Sequence, residues 1–94
     1  MKPLVLYLKK EYFKQVKYGN KIEEYREVKP YWTVRLKDKE FSNVEIRGGS
    51  HRDKRTPENT LIFPWKGYSV KKLVEHPLFG KTLEVYAIKL EREK

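Results

Sequence analysis

Residues 18–32, YGNKIEEYREVKPYW, predict the end of a helix, a strand and the start of a second helix within one short stretch. Gly19 ends the first helix, because glycine readily adopts the left-handed backbone that often closes a helix. The segment KIEEYREV, residues 21–28, is predicted to be a strand. Pro30 opens the helical segment PYWTVRL, since a residue in the first helical turn needs no amide hydrogen.

Two further elements are predicted before this stretch. Residues 3–8, PLVLYL, are an apolar run of strand length and predict a buried strand. Residues 9–18, KKEYFKQVKY, place Tyr12, Phe13 and Val16 at helical spacing with lysines between them. This pattern predicts an amphipathic helix directly after the first strand.

Most of the second half has strand character, in the segments NVEIR, TLIFPW, GYSVKKLVEH and TLEVYAIKLE. A turn is predicted at Lys66–Gly67 and another at HPLFGK, and Pro64 indicates an edge strand or a bulge. The whole order predicts one α+β domain, residues 1–94. We expect a curved sheet or a small β-barrel of about five to six strands, with one flanking helix and a short second helix.

The charge of the chain favours an anionic partner. Lys and Arg together number 22 against 13 Asp and Glu, which gives a formal net charge of +9. Such a surface attracts phosphates or anionic lipid, although it also simply keeps a protein soluble. Aromatic residues make up 14% of the chain, and they both fill cores and stack on nucleic-acid bases.

Several classes of protein are excluded or disfavoured by composition. The chain has no cysteine, which excludes disulfides, thiol nucleophiles and thiolate metal sites. The apolar run near the start is too short for a signal sequence or a membrane span, so we expect a cytoplasmic protein with no membrane partner. Charged residues make up 37%, with one Gln and one Met, a composition typical of a thermostable protein.

Three charged residues in the opening stretch form a candidate site. Strand alternation places Glu24 and Arg26 on one face, and Lys21, Glu23 and Tyr25 on the other. A neighbouring Glu and Arg can grip the polar edge of a base, because Arg donates hydrogen bonds and Glu accepts them. The alternative is a structural ion pair that closes a barrel, with Lys21 solvated.

The same residues resemble a known family. The segment GNKIEEYR fits the glycine-x-lysine-x-x-glutamate-x-arginine motif of ASCH domains, which are small relatives of the PUA domain. The preceding segment, LYLKKEYFKQVKYG, resembles the first strand and helix of the family, and the segments KPYW and FPWKGY are similar to one subgroup of short prokaryotic and viral single-domain members. The resemblance implies a PUA-like β-barrel with a cleft beside the first helix. It also implies a role with RNA or a nucleotide, with DNA as a further option.

Some ASCH domains are enzymes, either ribonucleases or amidohydrolases of N4-acetylcytidine. Lys21 matches the lysine of the amidohydrolases, but Glu24 stands where their threonine is expected, and the nearest threonine is Thr33. Glu75 is the position that we assign to the hydrolase glutamate. If the chain is an enzyme, Lys21 and Glu24 are its catalytic residues, with Glu24 as a general base for water.

The loop RGGSHRDKR supplies a second group of candidate ligand contacts, since basic loops with glycine can follow a phosphate backbone. Its cations are Arg47, Arg52, Lys54 and Arg55. The alternative is a solvated loop. A third group is aromatic: we expect one or two of Tyr31, Trp32 and Trp65 to face the cleft and stack on a base, and the others to pack in the core.

Neither a metal site nor a cofactor site is predicted. His51 lies in the loop and His76 precedes a proline, with no ligand pattern around either. No phosphate-loop or dinucleotide-binding motif is present. Three functional hypotheses follow: an RNA-binding domain, a hydrolase of RNA or of a modified nucleoside, and a structural or protein-interaction domain.

Overall fold

The structure is a computed structural model, and it describes residues 1–73 and 82–91. Its strands and helices follow in the order β1 (Leu4–Leu8), α1 (Lys10–Lys17), β2 (Glu23–Glu27), α2 (Pro30–Leu36), β3 (Val44–Gly48), β4 (Thr60–Phe63), β5 (Tyr68–Leu73) and β6 (Leu83–Lys89). A single 3₁₀ turn, Pro57–Asn59, precedes β4. The predicted α+β class, with six strands and two helices, is confirmed.

The six strands form two separate three-stranded sheets. The first has the order β1-β3-β4, with β1 and β3 parallel, and the second has the order β2-β6-β5 and is antiparallel. In the described residues both sheets are open, so the predicted closed barrel is not confirmed. The edges of β1 and β2 that lack a strand partner border the site described below.

The strands β4 and β5 follow each other in the sequence but do not pair with each other. The first sheet ends at β4, which is an edge strand as Pro64 indicated, and β5 belongs to the second sheet. Gly67 has a φ of 80°, which suits the turn predicted at Lys66–Gly67. This turn therefore carries the chain from one sheet to the other and does not close a hairpin.

One core lies between the two sheets and the helices. Phe13 and Val16 on α1 are buried as the helical spacing predicted, whereas Tyr12 is exposed. Gly19, with a φ of 79°, donates its amide hydrogen to Val16 and ends α1 in the predicted way. The remaining core side chains come from both sheets and from α2, among them Leu6, Leu36, Ile46, Phe63, Tyr86 and Ile88.

Gly48 fixes how closely α1 packs on the first sheet. The glycine lies at the end of β3, and a Cβ atom built on it would stand 2.8 Å from the ring of Phe13. The sequence pattern placed this residue in the loop that follows. In the structure it is the last residue of β3. Because it has no side chain, the ring of Phe13 can lie directly on the strand.

Two predictions fall outside the described residues, namely the HPLFGK turn and the position assigned to Glu75. Within residues 1–73 and 82–91, neither helix is long and apolar enough to cross a membrane.

Candidate functional site

A cleft of about 820 Å³ opens between the two helices and the adjoining edges of the two sheets. Its lining combines apolar side chains of β1 with six aromatic residues, four cations and one carboxylate. The aromatic residues are Tyr7, Tyr12, Tyr25, Tyr31, Trp32 and Phe41. The charged residues are Lys9, Lys21, Glu24, Arg26 and Arg35.

Glu24 is the buried charge at the centre of the cleft. Its side chain is 4% exposed, against 24% for Lys21 and 18% for Arg26. The Oε1 atom accepts a hydrogen bond from Lys21 Nζ at 2.8 Å and lies 3.4 Å from Nη1 of Arg26. A buried carboxylate is thus held between two cations, which compensates the cost of removing it from water.

The strand alternation predicted for Lys21 is corrected by this contact. Since β2 begins at Glu23, Lys21 precedes the strand and its side chain turns back to Glu24. The predicted ion pair of Glu24 with Arg26 is present. All three residues of the motif therefore meet in one cluster.

Arg26 joins the two sheets. Its Nη1 donates to the carbonyl of Tyr25 at 2.9 Å on β2, and its Nη2 donates to the carbonyl of Tyr7 at 3.1 Å on β1. The carbonyl of Ile22 accepts a hydrogen bond from Leu90, and the amide of Val28 donates one to Glu84. Since the backbone groups of alternate residues in a strand point to opposite edges, those of Tyr25 point away from β6. The amide of Tyr25 donates to Glu24 Oε1. Side chains of the motif thus satisfy this strand edge where a neighbouring strand would otherwise do so.

The second oxygen of Glu24, Oε2, is not used by the ion pairs with Lys21 and Arg26. Oε2 is buried and has no hydrogen-bond partner among the described residues. A buried acceptor without a partner is costly, and such atoms are rare in folded proteins. An N–H donor of a ligand in the cleft would satisfy Oε2.

Lys21 lies between two tyrosine rings. Its Nζ is 6.0 Å from the ring centre of Tyr12 on α1 and 5.9 Å from that of Tyr25 on β2. Both distances fall within the range of cation–π attraction. The lysine is therefore positioned by Glu24 and by both rings.

A second aromatic group lies on α2. The rings of Tyr31 and Trp32 meet edge to face at 5.1 Å, and the Arg35 guanidinium lies 3.4 Å from the ring centre of Tyr31. Arg35 also donates to the carbonyl of Tyr31 at 2.8 Å. Arg26 lies 5.4 Å from the ring centre of Trp32, which connects this group to the Glu24 cluster.

The pKa shifts lie beside the cleft, on the second sheet. The hydrogen bond from Lys71 lowers the pKa of Glu23, and the same bond raises the pKa of Lys71. Burial, reinforced by the hydrogen bond to Glu23, raises the pKa of the Tyr25 hydroxyl. The Tyr25 ring is therefore a neutral wall of the cleft at physiological pH.

The cations predicted in the loop do not line the cleft. Arg47 and Arg55 approach the carboxylate of Glu45, at 3.7 Å and 3.1 Å, and are held on the outer side of the first sheet. Arg52 and Lys54 are exposed. Arg47 lies on β3 and not in the loop, and its guanidinium contacts the ring of Tyr7. The loop nevertheless borders the cleft, because His51 also contacts this ring.

Of the three predicted stacking residues, Tyr31 and Trp32 line the cleft. Trp65 is not part of the lining: its ring packs edge to face on Phe41 at 4.8 Å and supports that wall from behind. Thr33 is bonded to the hydroxyl of Tyr86 and lies outside the lining. None of the described lining residues is a serine, a threonine or a cysteine, the usual nucleophiles of hydrolases.

Sequence reasoning missed six aromatic or charged lining residues: Tyr7, Lys9, Tyr12, Tyr25, Arg35 and Phe41. Arg35 is four positions after Tyr31, a spacing that places two side chains on one helix face and could have identified it. Tyr7 alternates with buried leucines in β1, which marks it as facing away from the core. Tyr12 was assigned to the helix pattern of Phe13 and Val16, and no local signal distinguishes it from them.

Over the described part of the chain, no group of three or more acidic or histidine side chains is arranged to hold a metal ion. Comparison of the chain with protein-family models, curated proteins and solved structures gives no match. The chemistry of the cleft itself therefore indicates what the chain binds.

Proposed function

We propose that this chain is a cytoplasmic RNA-binding domain of the ASCH type, and that it holds a single-stranded segment in the cleft beside Lys21. The carrying observation is the combination of cations and aromatic rings around one cavity. A cavity of about 820 Å³ is within the roughly 300–1,000 Å³ typical of ligand sites. Single-stranded nucleic acid is bound by this combination, since rings stack on bases and cations attract the backbone.

Each residue type in the cleft has a distinct role in this proposal. Tyr31, Trp32 and the ring of Tyr12 provide stacking surfaces. Lys21 and Arg35 contact phosphates or base carbonyls, and Oε2 of Glu24 accepts a hydrogen bond from a base N–H. Arg52 and Lys54, beyond Tyr7, contact the backbone where it leaves the cleft.

A PUA-like barrel remains part of this proposal. The strands β1 and β2, one from each sheet, are linked through the Arg26 guanidinium, which donates to Tyr25 and Tyr7. Such a join supports a barrel that is closed on this side by a side chain in place of backbone hydrogen bonds.

The test is a titration of a short mixed-sequence single-stranded RNA, followed by tryptophan fluorescence at two salt concentrations. We expect salt-dependent quenching that Lys21→Ala weakens, with the slope of log affinity against log salt reduced by about one if Lys21 neutralises a phosphate. Lys66→Ala removes an exposed lysine outside the cleft lining and is the matched control. Equal binding by both variants, or binding independent of salt, would overturn the proposal.

A hydrolase is the second candidate, and the 2.8 Å contact between Lys21 Nζ and Glu24 Oε1 is the observation that favours it. Since no serine or threonine is among the described lining residues, Glu24 would act as a general base for water. The RNA recovered from the titration distinguishes the two functions. Cleavage by the wild type and not by Glu24→Gln, in nuclease-free preparations, would establish the hydrolase; intact RNA would exclude a ribonuclease.

A further inference from the structure

We infer that the cleft binds two successive nucleotides, with one base at Tyr12 and Tyr25 and the next at Tyr31 and Trp32. The inference rests on the proposed function and specifies its ligand: a dinucleotide step of RNA and not a single nucleoside.

The first observation is that the aromatic residues form two groups, each connected to one carboxylate through a different cation. Lys21 lies about equally far from the rings of Tyr12 and Tyr25, and it contacts Glu24. Arg26 approaches the same Glu24 oxygen and lies over the ring of Trp32. Among the described residues, no ring pair joins Tyr12 or Tyr25 to the rings of α2, so the Glu24 cluster is what connects the two groups.

The second observation is that each group offers an exposed ring, and that the ring on α2 has one face already supported. Tyr12 is 45% exposed and Tyr31 is 57% exposed. Arg35 covers one face of Tyr31 at 3.4 Å, and its hydrogen bond to the carbonyl of Tyr31 fixes the guanidinium there. The opposite face of that ring is then preorganised for a base, which reduces the entropy lost on binding.

The third observation is the depth of the charges between the two groups. Glu24 is almost fully buried, whereas Lys21 and Arg26 are more exposed. A phosphate that links two bases would pass above the carboxylate and meet the two cations first. The ammonium of Lys21 and the guanidinium of Arg26 attract the negative charge of the linking phosphate.

The size of the cleft agrees with this arrangement. At about 820 Å³, it is near the upper end of the roughly 300–1,000 Å³ found for sites of single small ligands. One base and its sugar would leave one of the two aromatic groups unoccupied.

The experiment compares ApA with its analogue in which the second sugar is abasic, and with ApApA, by amide chemical-shift titration of the full chain. ApA and its abasic analogue carry the same single phosphate, so their difference reports the second base alone. We expect ApA to bind about 5- to 150-fold more tightly than the abasic analogue, the range for one stacked base. The gain in affinity from ApA to ApApA should be smaller than the gain from the abasic analogue to ApA.

Two variants locate the subsites. Tyr12→Leu and Tyr31→Leu retain an apolar side chain but remove the ring, and each should bring ApA close to the affinity of the abasic analogue. Tyr18→Leu, at an exposed tyrosine outside the cleft lining, should leave the ratio unchanged.

Three results would overturn the inference. Equal affinity for ApA and the abasic analogue would indicate a single base site. A loss confined to Tyr31→Leu would place both bases on α2. If ApA, ApApA and the longer RNA all fail to bind, the proposed function fails, and the two-nucleotide inference fails with it; binding of the longer RNA without a gain from the second base rejects the inference alone.

Discussion

The guanidinium of Arg26 on β2 donates a hydrogen bond to the main-chain carbonyl of Tyr7 on β1, across the gap between the two sheets. The same side chain holds the carbonyl of Tyr25 and lies beside the buried carboxylate of Glu24. Arg26 is therefore as important for the shape of the cleft as for its charge.

Arg26→Ala should lower the free energy of unfolding by about 3 kcal/mol, because charged hydrogen bonds to two carbonyls are lost and Glu24 loses a cation. Arg26→Lys should recover only part of this, since one ammonium cannot reproduce the planar fork of the guanidinium. Urea unfolding measures both, and Arg52→Ala, in the exposed loop, should change stability by less than about 0.5 kcal/mol. A loss for Arg26→Ala no larger than that of the control would show that the bridge is not structural.

Gly48→Ala should destabilise the protein by about 1–3 kcal/mol, the usual cost of overpacking a core. The added methyl group would stand 2.8 Å from the ring of Phe13. Phe13→Leu combined with Gly48→Ala should cost less than the sum of the two single substitutions, because the smaller side chain leaves room for the methyl group. A double-mutant cycle in urea checks this, and strict additivity would contradict the packing argument.

The ion pair of Glu23 and Lys71 should make stability depend on pH at the acidic end. The pKa of Glu23 lies below its ordinary 4.5 in the folded protein, so its contribution is fully present above pH 4.5 and is lost as pH falls through the folded value. The pKa of Lys71 lies above 10.5, so its contribution is full below that pH and is lost as pH rises through the folded value.

Lys71→Met should accordingly lower the urea midpoint at about pH 7, and the difference from the wild type should shrink at about pH 3. The effect should be small, because Lys71 is largely exposed and solvent screens the pair. Lys66→Met is the control. If the difference in urea midpoint between Lys71→Met and the wild type is the same at both pH values, the ion pair of Glu23 and Lys71 is not its cause.

Tyr25 should titrate later than an ordinary tyrosine. Its pKa is raised above 10.0, chiefly by burial and then by the hydrogen bond to Glu23. Tyrosinate absorbance of the folded protein should include a late component that Tyr25→Phe removes. Since the unfolded state ionises first, Tyr25 should also reduce stability above about pH 10. A titration curve unchanged in Tyr25→Phe would argue against the shift.

The elements were predictable from local patterns, but the pairing of the strands was not. Pro30 and Gly19 marked the ends of helices correctly, because proline and glycine restrict or free the backbone of their own residue. Which strands pair depends on contacts far apart in the sequence. TLIFPW and GYSVKKLVEH therefore suggested two strands around a turn, whereas the strands observed there, β4 and β5, lie in different sheets.

The site was predicted in part for similar reasons. The motif residues Lys21, Glu24 and Arg26 meet as one cluster, although Lys21 joins it from outside the strand. Arg47 and Arg55 were predicted to contact a ligand because they are positively charged. The sequence could not indicate that Glu45, on the same sheet, holds both, because the interaction of Arg55 crosses from the loop back to β3.

The pairing of β2 with β6 constrains how this chain folds during synthesis. Glu23–Glu27 emerges early from the ribosome, but its partner Leu83–Lys89 is the last of the described strands to be made. While β1 and β3 can already associate, β2 remains an unpaired strand on the growing chain. Contacts of such long sequence separation slow folding and prolong the exposure of strand edges. The strand that carries Glu24 and Arg26 therefore gains its backbone partner only after Leu83–Lys89 has been made.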